Sequence, residues 1–89
     1  MSYEKKIAEQ FPCEFPIKVF GLATEEFELN VLSIIHKHLP DLREDAIRTR
    51  FSKDKKYLAI TITTIIDSKE RIDNIYLDLT ASPHVLIAI

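Results

Sequence analysis

The run from Tyr57 to Ile66, YLAITITTII, constrains this chain more than any other feature. It holds no charge, no glycine and no proline, and most of its residues are β-branched, a composition that fits a pleated strand better than a helix. Leu58, Ile60, Ile62 and Thr64 fall on one side of it and Tyr57, Ala59, Thr61 and Thr63 on the other. Just before it, Ala46 to Ser52 alternates as well, with Ile47, Thr49 and Phe51 opposing Arg48 and Arg50. A short polar link, Lys53 to Lys56, joins the two runs, so together they read as a hairpin.

A third alternating run lies near the start. From Glu14 to Phe20, residues Phe15, Ile17 and Val19 share one side, while Glu14, Pro16, Lys18 and Phe20 share the other. Pro16 lacks a ladder donor and belongs near the strand's start or at an unpaired position. Gly21, the only glycine, falls where this strand should give way to a helix. Thr24 is placed to cap that helix, Glu25 and Glu26 suit its positive end, and His36, Lys37 and His38 suit its negative end before Pro40. Phe27, Val31, Ile34, Ile35 and His38 form its apolar stripe. His38, at the helix end, is expected to cap free carbonyls.

Asp67 and Glu70 have capping-box spacing and open a second helix with the stripe Ile72, Ile75, Tyr76 and Leu79. Ser82-Pro83 stops it, and His84 to Ile89 reads as a last strand. Before all of this, Tyr3, Ile7 and Phe11 recur every four residues and mark residues 1–12 as a short helical appendage ended by Pro12.

Thr24 and Asp67 lie 43 positions apart, nearly half of the 89 residues, so the chain reads as two β-α-β halves. Interleaved with right-handed crossovers, they give one α+β domain over residues 1–89 with the ferredoxin-like order β-α-β-β-α-β. Four antiparallel strands are expected in the order 4-1-3-2, with both helices on one face. Strands two and four are then the edges. Arg48 and Arg50 discourage pairing on one, whereas His84 to Ile89 carries no side-chain charge and invites a second copy of the chain. A homodimer through that edge is the expectation, helped by Phe20, Leu86 and Ala88 read as outward. The alternative cover is the segment bearing Tyr3, Ile7 and Phe11.

A chain this short supports one core, and most of its 46% apolar residues are needed to build it. The first twenty residues carry Glu4, Lys5, Lys6, Glu9 and Glu14, and no apolar run long enough for a signal peptide. No stretch approaches the roughly 20 apolar residues that span a bilayer, so no membrane role is expected. Cys13 is alone, which rules out an intrachain disulfide and suits a cytoplasmic location. The net charge of −2 is unevenly spread: His36 to Lys56 holds seven Lys/Arg against four acids, between acidic flanks.

Several short motifs resemble the YbeD-like family of small uncharacterised bacterial proteins. They are Phe11-Pro12 with Phe15, Lys18-Val19-Phe20-Gly21, His38-Leu39-Pro40 and the Ile60-Thr61-Ile62 strand, followed by a short strand at the C-terminus. The resemblance implies a ferredoxin-like fold similar to ACT domains, regulatory modules that bind amino acids, and it carries over no catalytic residue. In ACT domains a glycine of the first strand-to-helix loop lets an effector approach the backbone, and Gly21 occupies the matching place. The usual Pro-Gly turn with its acidic neighbour is missing here. A plain backbone requirement at Gly21, a positive φ or tight packing, is the simpler reading.

No catalytic constellation emerges. His36 and His38 point roughly 200° apart on a helix and cannot share a metal ion. The chain has no nucleophile elbow, P-loop or dinucleotide fingerprint. Acylphosphatases share the topology but need a glycine-rich loop and an arginine where this chain reads Gly21-Leu22-Ala23-Thr24. RNA-recognition domains share it too; where they stack bases on several rings, this chain offers Tyr57 with Ala59 in place of a second ring. The expected function is therefore non-catalytic, without a cofactor: a regulatory or interaction module binding a protein partner or a small anionic metabolite. Gly21, Lys18, Arg48, Arg50 and Tyr57 are the candidate binding residues, and weak nucleic-acid binding by the open sheet face is the alternative.

Overall fold

Alternation and helical periodicity translate directly into layers. The computed structural model describes residues 13–89, and the helical appendage expected at 1–12 lies outside them. In chain order the elements are β1 (Cys13–Leu22), α1 (Glu25–His38), a 3-10 turn (Glu44–Ala46), β2 (Ile47–Phe51), β3 (Tyr57–Ile66), α2 (Lys69–Ala81) and β4 (Ile87–Ala88). The four strands form one antiparallel sheet in the order β2-β3-β1-β4, the expected order read from the other edge.

Register fixes which side chains meet. Ile17 pairs with Ile62, and Val19 with Ile60. These residues, with Leu58 and Ile66, bury completely or nearly so against Phe27, Val31 and Ile35 of α1 and Ile72, Ile75 and Leu79 of α2. Each such side chain contributes about 1.5–3 kcal/mol when fully buried. Pro16, opposite Thr63, sits within the central strand β1, but toward its start.

Several local details depart from expectation, among them the last strand, expected over His84 to Ile89 and confined to Ile87–Ala88. β1 runs through Gly21 to Leu22 instead of stopping before the glycine. The second helix is capped by Ser68, whose hydroxyl accepts from the Arg71 amide at 3.2 Å; Asp67 accepts from the Arg71 side chain at 3.0 Å instead. His38 does not cap carbonyls either. Its Nε2 lies 2.7 Å from Asp78 Oδ2 of α2, and the His38 carbonyl accepts from Arg71 Nη1 at 2.8 Å. Lys37 Nζ donates to the same Asp78 oxygen at 3.2 Å, so Asp78 joins two side chains of the α1 terminus to α2. Thr24 caps α1 as expected, accepting from the Phe27 amide at 3.1 Å.

Candidate functional site

The helices cover one face of the sheet and leave the other open. Strand alternation and register place the open-face residues in rows. Arg48, Thr61 and Lys18 lie side by side across β2, β3 and β1, and Arg50, Ala59 and Phe20 form the next row. A third row pairs Tyr57 with Leu22. Four residues proposed from sequence, Lys18, Arg48, Arg50 and Tyr57, therefore share one face. Gly21 does not join them. It pairs with Leu58 on the helix-facing side and is buried.

The reason for the glycine is steric. Its φ is not positive, so conformational freedom is not what the position requires. A Cβ there would overlap Cδ1 and Cε1 of Phe27 and lie 2.8 Å from the His84 carbonyl oxygen. Tight packing explains Gly21.

The cations on the open face are exposed, and none of Lys18, Arg48 and Arg50 forms an ion pair with a described residue. In extended geometry Arg48 and Arg50 stand about 7 Å apart and Lys18 about 10 Å from Arg48 across two strands. Tyr57 is 40% exposed, and Lys56 Nζ sits 5.5 Å from its ring centroid. At this end of the sheet a cleft of about 200 Å³ is lined by Phe20, Arg50, Phe51, Tyr57 and Ala59, among others.

The hairpin loop beside the cleft is ordered by its own polar groups. Asp54 Oδ1 accepts from the Ser52 hydroxyl at 2.7 Å and the Lys56 amide at 3.1 Å, and Ser52 Oγ accepts from the Tyr57 amide at 3.0 Å. These donors hold the Asp54 carboxyl below its ordinary value, the Ser52 hydroxyl most of all. Lys55 takes the left-handed φ of 61° that closes the turn. Lys53, Lys55 and Lys56 are thus presented at the margin of the cationic face.

Two apolar members of this surface, Leu22 and Ile87, are not evident from sequence. Leu22 reads from sequence as loop because the glycine marks the strand's end, yet it pairs with Tyr57 in β3. In β4, Ile87 pairs with Phe20 and therefore shares the open face, while Ala88 pairs with Val19 and packs on the core. This reverses the expected outward position of Ala88. The His84–Ile89 run is too uniformly apolar for its parity to be read from sequence. Leu86 is exposed, as expected of an outward residue.

Comparison with known proteins agrees with this architecture. The family described as "Protein of unknown function (DUF493)" matches residues 7–89. The chain belongs to this family. A UPF0250 protein of Chromobacterium violaceum is 39% identical over 85 residues, covering 96% of each chain. One from Neisseria meningitidis serogroup C is 39% identical over 80 residues, covering 90% of this chain and 86% of its own. The solution structure of protein HP0495 from H. pylori superimposes with a TM-score of 0.70 at 11% identity, covering 90% of this chain and 84% of the other. That likeness shows the fold. The YbeD-like resemblance read from the motifs thus holds.

Proposed function

We propose that this DUF493 chain is a non-catalytic interaction module of regulatory type, acting in the cytoplasm, whose open sheet face binds an acidic protein partner. The observation that carries the reading is the cationic row set: Lys18, Arg48 and Arg50 in register, exposed, and without a carboxylate partner among the described residues. Phe20, Ala59 and Tyr57 supply apolar contact area in the adjoining rows. A small anionic metabolite fits less well, because such ligands bind in concave sites that bury most of their surface, and these three cations stand on an open sheet. A single carboxylate can engage Arg48 and Arg50; an acidic protein surface can meet all three.

Nucleic-acid binding would use the same cations, but base stacking needs unobstructed rings. Lys56 lies over the Tyr57 ring, and Ala59 separates Phe20 from Arg50. The test is affinity capture from extract, with and without nuclease treatment, using the native chain and Arg48→Glu/Arg50→Glu. A protein retained by the native chain and lost with the double variant supports the reading. Identical captures with both chains overturn it, as does a captured species that nuclease removes.

A further inference from the structure

β2 is an edge strand of an unusual kind. Four of its five residues are exposed, only Ile47 packs against the core, and among the described residues no strand pairs with its outer edge. The hydrogen-bond phase of that edge follows from the hairpin. The Ser52 amide donates to the Tyr57 carbonyl at 2.9 Å, in the same register that pairs Arg50 with Ala59 and Arg48 with Thr61. Antiparallel ladders alternate, so the main-chain groups of Arg48 and Arg50 face β3 and those of Ile47, Thr49 and Phe51 face outward. The Ile47 amide is taken up by the Glu44 carbonyl. This leaves the Ile47 carbonyl and both groups of Thr49 and Phe51 pointing to solvent.

A second copy of β2 is a poor occupant. Every antiparallel register that keeps the faces aligned and pairs at least three β2 residues puts arginine opposite arginine: Arg48 against Arg50, Arg48 against Arg48, or Arg50 against Arg50. Like charges directly opposite oppose pairing. The same geometry favours acidic residues. Positions opposite Arg48 and Arg50 on an added strand are non-hydrogen-bonded pairs, where side chains approach most closely. On the other face, Ile47 is half-buried and Phe51 is 56% exposed, offering apolar contact to the alternate residues of that strand.

We propose that β2 receives its partner by strand addition: an extended segment with acidic residues on the open face, alternating with apolar residues on the helix side. This rests on the acidic-partner reading and adds its mode of binding. The probe is the peptide acetyl-Ile-Glu-Val-Glu-Ile-amide, titrated into the full chain at low salt with amide chemical shifts as readout. Its central valine pairs with Thr49, so methylating the valine nitrogen removes a donor to the sheet. Methylating the nitrogen of the second glutamate alters an amide that faces solvent.

The expected result is saturable binding that moves the Thr49 and Phe51 amides. Valine methylation should weaken it about tenfold or more, glutamate methylation less than about twofold. Binding that falls with Arg48→Glu/Arg50→Glu but ignores valine methylation overturns strand addition and leaves the acidic-partner reading intact. Absence of binding by this peptide together with unmoved Lys18, Arg48 and Arg50 resonances in excess polyglutamate overturns both.

Discussion

Replacing Gly21 with alanine tests whether this position serves the core or a ligand. The added methyl would enter the Phe27 ring edge and approach the His84 carbonyl oxygen to 2.8 Å. Phe27 is 1% exposed and cannot swing into solvent without leaving the core, and the His84 oxygen is main chain at the turn before β4. Overpacking of this kind costs about 1–3 kcal/mol. With two obstacles, one of them backbone, the upper part of that range applies. Against it stands the reduced entropy of the unfolded chain, worth about 0.4–1 kcal/mol in favour of alanine. The expected net loss is about 2 kcal/mol, or roughly 8–16 °C in Tm for a domain of this size. Phe27→Leu removes the ring atoms the methyl meets, so Gly21→Ala/Phe27→Leu should lose clearly less than the sum of the two single variants. Thermal and urea unfolding of the four proteins measure this. A single variant within about 0.5 kcal/mol of the native chain, or strictly additive losses, would refute the packing argument.

Arg48→Glu/Arg50→Glu should unfold within about 0.5 kcal/mol of the native chain, because both residues are exposed on an edge strand; a large loss by urea titration would mean that they hold the fold together. Asp78 lies below its ordinary value of 3.8, chiefly through the hydrogen bond with His38 and then that from Lys37. A depressed native value gives stability that is present above about pH 3.8 and lost as pH falls through the native value. Asp78→Asn should therefore flatten the fall of Tm between pH 5 and 2, as judged by circular dichroism, leaving the part due to Asp54, whose shift has the same sign; an unchanged slope would exclude the link between α1 and α2 as its source. At the opposite edge, Leu86, Ile87 and Ile89 are each more than half exposed, and a homodimer through β4 is the expected form. Light scattering that finds the full chain monomeric, with aggregation only in a version starting at Pro12, would replace the dimer with an N-terminal cover.

The strands and helices were legible because their two periodicities differ and the charged residues mark their phase. Arg48 and Arg50 within the Ile47, Thr49 and Phe51 alternation set the faces of β2, and Lys18 did the same for β1. Where that marking stops, so did the reading. His84 to Ile89 carries no charged side chain to mark its parity, and Ala88 packs inward where sequence alone suggests the outward face. Asp67 and Ser68 are both competent caps one residue apart, and only the structure shows that Asp67 is engaged by the Arg71 side chain while Ser68 meets its amide. The pairing of His38 with Asp78 joins residues 40 positions apart, beyond what local pattern can register.

That boundary between local and nonlocal information also explains why only some of the candidate residues share one face. Lys18, Arg48, Arg50 and Tyr57 belong to strands whose phase was readable, and strand order then brought them onto one face. Gly21 resembles a ligand-loop glycine only by its place in sequence; its surroundings are set by Phe27 and His84, one helix and one distant turn away. A glycine forced by packing and a glycine that admits a ligand look identical in sequence. Only the atoms a Cβ would meet separate them, and here those atoms are a core ring and a main-chain carbonyl. An anion bound by this protein should therefore approach from the open side of the sheet, where its first contacts are Arg48, Arg50 and Lys18.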